Sequence, residues 1–461
     1  MRSKNKDFKI SMGVHYKYFL FFLIFFLPVS VYASSGEVLI VFSGEELGSL
    51  EPCGCFEGQI GGISRRSSLI DSLRKQKKTV IPVSFGDLPR GFGRQQEIKT
   101  EILCRAMDEM GYVAHNLGEK DIEIGLPLIS YLSQAYKVKF LSSNVEFAAP
   151  LPLERNQCLI KECSDAARPC KIAFIGVVSK SLISEHFSDR INVHDPVEAL
   201  RPLVKDLRGS VDLIVLLSHA PLEESIEIAK LLPEIGLIIT GHGIDEPEEV
   251  VTYINNTLIV TAGTMGKRLG VVTYSMDKTG LTRKSVSLML LGHSQKDSPG
   301  MASLLKEYQQ MLIDEDLLGK TVQAPLPDGV SYVGSAACGI CHKAVYRHWL
   351  KTRHGAAYNT LVAIGHQYDP ECITCHTTGY GYVSGFLSEK ENKNLIDVGC
   401  ESCHGAGSLH IANVDDKSYK HRSAGEGRCV TCHDSEHSVK FKFDDYWEKI
   451  KHPEEVLKKL N

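Results

Sequence analysis

Beyond residue 33 the chain has no apolar run approaching the roughly 20 residues that a membrane-spanning helix needs, so no later segment is expected to cross a bilayer. It also lacks a basic surplus, with 52 Lys and Arg against 56 Asp and Glu. That balance excludes the broad basic surface on which nucleic-acid binding depends. Five bases and one acid precede residue 34, so the formal charge of −4 becomes about −8 for the remainder. Residues 331–461 hold 16 acids and 16 bases, which places the acidity in the N-terminal part. Strong strand-like runs are missing from residue 336 onward, where His, Cys, Gly and Lys take over. A stretch so poor in aliphatic side chains cannot make an ordinary apolar core, and something else has to fill it.

At the start, Arg2, Lys4, Lys6, Lys9 and Lys17 precede FLFFLIFFLPVSV, and Val31-Tyr32-Ala33 supplies small residues where a signal peptidase reads. This pattern predicts an export signal over 1–33, with no cysteine for lipidation at the cleavage point. The expected location is the periplasm or the outer surface, with no membrane span once the signal is removed. About 430 residues remain, enough for two or three domains.

From Glu37 to about Leu291, short β-branched runs such as EVLIVF, TVIPVSF, VKFLSSNV, CKIAFIGVV and VDLIVLLSH alternate with helical patterns such as SRRSSLIDSLRKQ. The alternation predicts an α/β layered domain over 34–295, with polar groups gathered where strands end. Later strands lack long helices between them, so part of the sheet is expected to be antiparallel. Residues 296–335 read as a helix followed by the turn-rich linker TVQAPLPDGVSYVG, and 336–461 as a small, mainly helical domain.

The missing core of that last domain is written four times: Cys338-Gly-Ile-Cys341-His342, Cys372-Ile-Thr-Cys375-His376, Cys400-Glu-Ser-Cys403-His404 and Cys429-Val-Thr-Cys432-His433. In CxxCH the thiols form thioethers to one haem and the adjacent histidine reaches the iron. Zinc or disulfides would not require a histidine after each second cysteine. Four covalently bound c-type haems are therefore expected, with His342, His376, His404 and His433 as proximal ligands. Further axial ligands are sought among His354, His410 and His452, while His437 and His421 compete for a fourth place. His348 and His366 read as solvent or propionate partners.

The order W349LKTRHGAAY, YDPECITCHTTGYG, GCESCHGAGSLH, CVTCHDSEHS and YWEKIKH resembles the tetrahaem cytochrome c554-like domains of respiring bacteria, over about 336–453. The resemblance implies closely stacked haems acting as an electron wire, with His354, His410 and His452 as axial ligands. It also implies that one iron can have an open axial side. An open iron can bind nitrogen oxides or oxygen, whereas a six-coordinate one chiefly passes electrons.

Polar groups follow the apolar runs of the N-terminal part at Glu45, Asp87, Glu119, Asp121, His219 and His242, a set suited to metal ligation. Two-metal hydrolases bring such ligands together around ions about 3.5–4 Å apart. These positions resemble the calcineurin-like metallophosphoesterases of the 5′-nucleotidase type, over about 37–290, with a layered β-sandwich flanked by helices. G48SLEP, Gly86-Asp87, His219 and His242 keep that family's pattern. Its Asp-x-His has become Glu45-Glu46-Leu47, its Asn-His has become Glu119-Lys120, and its final His has become Ile244. The departures leave at best one divalent metal, from Glu45, Asp87, His219 and His242. Lys120 can assist an anion or fill a cation position beside the carboxylates.

Six early cysteines suit an oxidising compartment. Cys158, Cys163 and Cys170 bracket an irregular, charged segment that a disulfide could restrain, and Cys104 is available for pairing. Cys53 and Cys55 invite disulfides, a metal or redox chemistry. The sequence thus predicts an exported tetrahaem electron carrier with a non-catalytic phosphoesterase-like domain, a redox protein as donor and another as acceptor, and self-association through the haem domain. The alternatives are a redox enzyme acting on a small nitrogen or oxygen compound at an open iron, or a residual phosphoesterase.

Overall fold

The structure, a computed structural model, describes residues 36–52, 59–76, 78–148, 157–163, 169–187, 189–247, 251–277, 280–415, 424–434, 436–438 and 440–453. The segment read as an export signal, Cys53, Cys55 and His421 lie outside these residues. No helix among them is long and apolar enough to cross a membrane.

Strands run β1 (Gly36–Ser43), β2 (Thr79–Ser84), β3 (Ala114–Asn116), β4 (Lys139–Leu141), β5 (Val145–Phe147), β6 (Cys158–Cys163), β7 (Cys170–Val178) and β8 (Ile191–Val193). They continue as β9 (Leu213–His219), β10 (Leu237–Ile239), β11 (Val251–Ile254), β12 (Thr257–Val260), β13 (Arg268–Asp277) and β14 (Gly280–Leu290). Two six-stranded sheets form, in the orders β14-β13-β1-β2-β3-β4 and β11-β12-β10-β9-β7-β6. In the first sheet antiparallel β13 and β14 lie on one side of the parallel run β1-β2-β3-β4, and in the second a parallel centre is flanked by antiparallel β11 and β6.

The period-2 alternation of a strand decides the layering. Along β1, Val38, Ile40 and Phe42 face a core shared with Phe174 of β7 and Leu217 of β9, so the sheets stack face to face. Leu39 and Val41 point the other way, into a core with helices Ile63–Lys75, Arg94–Glu109 and Pro299–Asp314. Helices Pro196–Leu207 and Leu222–Leu231 cover the outer face of the second sheet through Leu200, Val204 and Ile228. The result is a β-sandwich between helical layers. Met301, Leu304, Tyr308 and Leu312 build the helix of the 296–335 region into the first core.

Two local readings change in the structure. VKFLSSNV divides into β4 and β5, because Ser143 and Asn144 turn their side chains to the backbone of β7 instead of continuing a ladder. Residues 158–163 are a regular strand, and β6 pairs with β7 so that Cys163 stands directly opposite Cys170.

Beyond residue 334 the described residues form short helices, including Ser335–Cys341, Lys343–Trp349, Ala357–Ile364, Pro370–His376, Cys400–His404, Ser408–Ala412, Glu426–Cys429 and Phe443–Ile450. The apolar cluster among them is small: Leu318, Tyr358, Leu361, Ile373, Phe386 and Leu395. Ile340, between the thiols of the first motif, is 71% exposed to the surrounding space of the polypeptide, and Ile364 is 64% exposed.

Candidate functional site: histidine pairs and a carboxylate–histidine cleft

In the first three CxxCH motifs both cysteines lie on one helix, where residues three apart share a face, and in the fourth the helix ends at Cys429. The Cys338 thiol lies beside that of Cys400, and the Cys432 thiol beside that of Cys375. The first motif therefore adjoins the third, and the second adjoins the fourth. The third motif is the hub of the region. Glu401, between its cysteines and buried, accepts the N–H groups of Val333, Gly334 and Gly407.

Three motif histidines face a second histidine. His342 stands opposite His410 with ring centroids 6.2 Å apart and planes 18° from parallel. His404 faces His452 at 6.1 Å and 18°, and His433 faces His354 at 6.1 Å and 42°. Metal–imidazole bonds of about 2 Å on both sides of one ion, with the ring radii added, put centroids about 6 Å apart. Burial holds His342, His354, His433 and His452 below the ordinary histidine range, and the facing ring adds to this for His342, His354 and His452. That favours the neutral, ligating imidazole. These arrangements fit a haem iron between each pair.

His376 has no second histidine ring at that distance among the described residues. Its Nδ1 lies 2.8 Å from the Ala357 carbonyl, to which it donates, so Nε2 is the nitrogen left for a metal. His437 is turned to Asp434, 2.9 Å from its carboxylate. His348 Nε2 is buried without a hydrogen-bond partner.

The helix carrying the second motif is pinned to the sandwich. Asp369, its N-cap, accepts from Gln95 Nε2 (2.7 Å) and Tyr308 Oη (2.9 Å), while Glu371 pairs with Lys99 and accepts from Gln96 Nε2 (2.8 Å). His366 Nε2 lies 3.2 Å from Glu51 Oε2. Burial opposes the charged ring of His366, but the Glu51 hydrogen bond and charge outweigh it and raise its pKa. A raised folded pKa contributes stability that is complete below the unfolded value of about 6.5 and is lost as pH rises through the folded value. Protection of the amides in Pro370–His376, taken relative to the intrinsic base-catalysed exchange rate, is accordingly expected to fall as pH rises above about 6.5. His366→Gln should abolish that pH difference, and an unaltered difference would contradict the assignment.

The second cleft lies where β1, β2 and β9 end. Glu45, Leu47 and Asp87 take left-handed backbone there, with φ of 45°, 48° and 55°, a strained conformation that clusters at functional sites. Gly86 is demanded by close approach, since a Cβ on it would lie 2.3 Å from His219 Nδ1. Ligating atoms of Glu45, Asp87, His219 and His242 lie within 4.8 Å of one another. Glu45 Oε1 is 2.7 Å from His242 Nδ1, yet that buried nitrogen makes no hydrogen bond in proper geometry. Two such lone-pair atoms aimed past each other fit one metal ion.

The same residues do not fit two ions. Lys120 Nζ sits 3.0 Å from Asp87 Oδ2 and 2.5 Å from Glu119 Oε1, and Glu119 Oε2 is 2.5 Å from His219 Nε2. Burial disfavours both charged groups, but Asp87 and Glu119 raise the pKa of Lys120 and carry that of His219 well up. Asp121 lies apart from the ligand set. It accepts the N–H groups of Asp87, Leu88 and Gly118 and pairs with buried His115, which explains its burial without a metal. Glu46 turns away to a fully buried, two-pronged ion pair with Arg66. Sequence reasoning missed this pair, although Arg66 on the core face of an otherwise amphipathic helix was a signal for it.

Among the early cysteines, Cys104 is buried in helix Arg94–Glu109 and Cys158 is half-buried opposite Ile175.

The layered sandwich with its strand-end cleft has the fold of calcineurin-like phosphoesterases, and the CxxCH region with facing histidines has an arrangement suited to haem. More particularly, the N-terminal part is similar in fold to 5′-nucleotidases, and residues 337–405 are similar to cytochrome c554. Residues 337–405 match the family Cytochrome c554 and c-prime, which implies c-type haem. Over 104 residues the chain is 32% identical to cytochrome c-554 of Nitrosomonas europaea, a match covering 19% of this chain and 43% of that one. The chain thus spans less than half the length of that relative. A 5′-nucleotidase precursor of Thermus thermophilus superposes with a TM-score of 0.53 at 19% identity, over 65% of this chain and 63% of that one. The calcineurin-like phosphoesterase YfkN of Bacillus subtilis gives 0.52 at 17% identity, over 61% and 99%.

Proposed function

We propose that this protein is an exported electron-transfer protein carrying four c-type haems, working in the periplasm or at the outer surface between a redox-protein donor and acceptor. The observation that carries this reading is the set of three histidine pairs at 6.1–6.2 Å, each joining a CxxCH histidine to one distant in sequence. Haem iron, when bound, supplies one-electron exchange between ferric and ferrous states. The chain's own part is to hold the imidazoles in facing pairs and to set the first motif against the third and the second against the fourth. The phosphoesterase-like domain anchors the second motif through Gln95, Lys99 and Tyr308 and is not a two-metal hydrolase. Haem-domain contacts between copies provide for self-association.

The lack of a facing histidine for His376 among the described residues favours a second reading, a redox enzyme that takes a small nitrogen or oxygen compound at that one iron. Spectroscopy tests both. Haem-loaded protein is expected to contain four irons, three low-spin and one high-spin, and His354→Ala should convert a further iron to high-spin. Nitric oxide binding by the resting high-spin iron, with turnover, supports the enzyme. Four low-spin irons would remove it, and fewer than four haems would refute the tetrahaem assignment. No hydrolysis of nucleotides or phosphodiesters is expected.

Cys163 and Cys170 are proposed to form a disulfide in the oxidising compartment, closing the β6–β7 hairpin. Peptide mapping of unreduced protein should find the two linked, and both thiols alkylated without reductant would rule this out.

A further inference from the structure

We infer that the strand-end cleft is a mixed centre, in which one divalent transition-metal ion is held by Glu45, Asp87, His219 and His242 and the Lys120 ammonium serves as the built-in second cation. This does not rest on the electron-transfer reading, since no haem-binding residue takes part.

Three carboxylates, from Glu45, Asp87 and Glu119, converge on the cleft. Such a concentration of negative charge, nearly removed from water, needs cations. Glu45 is 2% exposed, Asp87 0% and Glu119 7%. One cation is covalently present. Lys120 Nζ bridges Asp87 Oδ2 and Glu119 Oε1, and the Lys120 backbone N–H donates to Asp87 Oδ1 at 3.0 Å. Its side chain cannot leave without exposing both carboxylates to each other.

On the other side of Asp87 stand Glu45 and His242, while His219 Nε2 lies 3.4 Å from Asp87 Oδ2 and 2.5 Å from Glu119 Oε2, so an ion bound there would take the place of the His219 proton. His242 Nδ1 and Glu45 Oε1 approach to 2.7 Å without a hydrogen bond, and the rings of His219 and His242 meet edge to face at 4.9 Å. Glu45 is held in place by the Gly243 N–H, 3.2 Å from each carboxylate oxygen. Two imidazoles with two carboxylates suit Mn, Fe or Zn better than Mg or Ca. His242 and Lys120 are each partly exposed, at 20% and 26% of their side chains, which provides an entry path. With Asp87 shared between the ion and the ammonium, the cleft reproduces the charge arrangement of a two-metal centre with one ion fewer.

The stoichiometry of the haem-loaded protein decides the matter. After chelator dialysis, equilibrium dialysis with Mn²⁺ and separately with Zn²⁺ is expected to give one ion per chain in the wild type. His242→Ala should weaken binding about 10–100-fold or more. Lys120→Ala should raise the stoichiometry to two or tighten the first ion about tenfold, because unpaired carboxylates then seek a cation. Lys120→Arg keeps the charge and should stay at one. Two ions in the wild type, none in the wild type, or a folded Lys120→Ala with unchanged binding would each overturn the proposal. If Lys120→Ala does not fold, the wild-type stoichiometry and the His242→Ala loss still decide it.

Discussion

Replacing both Cys400 and Cys403 by alanine is expected to unfold the region beyond residue 334 while leaving the β-sandwich intact. The protein part of that region has little to hold it, since its apolar cluster contains Leu318, Tyr358, Leu361, Ile373, Phe386 and Leu395 and little else. The third motif also carries the polar hub. Glu401 ties down Val333, Gly334 and Gly407, and the Cys400 N–H donates to Ser335 Oγ at 3.1 Å. Without the haem attached at this point, helix Cys400–His404 loses its packing partner, and a buried carboxylate loses the frame that satisfies it. Far-UV circular dichroism should lose helical signal, and limited proteolysis should leave a resistant fragment ending near the helix Pro299–Asp314. A variant that keeps full protection beyond residue 334 would show that side chains alone supply the core.

Arg66→Met is expected to destabilise the sandwich by about 3–5 kcal/mol, because it leaves the Glu46 carboxylate charged and unpaired. Both partners are fully buried, and the guanidinium meets Glu46 through two nitrogens. The Glu46 attraction outweighs a large burial penalty to keep Arg66 charged. The pair therefore matters through the cost of breaking it. Replacing both partners with apolar residues of similar volume should recover most of the loss, since the desolvation of two charges is then avoided. Urea unfolding followed by the sheet signal measures both variants. A loss below about 1 kcal/mol for Arg66→Met would mean that water reaches Glu46 in the folded state.

The layered α/β domain was legible because buried parallel strands leave continuous β-branched runs, such as EVLIVF and VDLIVLLSH, and a period of two leaves little choice of face. The CxxCH motifs were legible for a different reason. A CxxCH is local, and its chemistry is complete within five residues. The partners of the motif histidines were not local. His410 follows the third motif yet faces His342 of the first, and His354 follows the first yet faces His433 of the fourth. Chain order carries no information on such pairings when short helices are arranged around large cofactors.

In the strand-end cleft, residue types alone marked Leu47 and Ile244 as incapable of ligation and Lys120 as a cation among carboxylates. Whether Lys120 turns outward to an anion or inward to Asp87 and Glu119 was decided by packing, as was the diversion of Asp121 to backbone N–H groups and of Glu46 to Arg66. The amino-acid order by itself therefore determined the two fold types and marked the CxxCH motifs and the residues at which the metal-ligand pattern is broken. The tertiary structure alone decided the histidine pairs, the seat of Lys120 and the anchoring of the second motif on the sandwich. Covalent and period-2 patterns are written within a few residues, whereas charge pairing and axial geometry depend on which distant segments are brought within a few ångströms of each other.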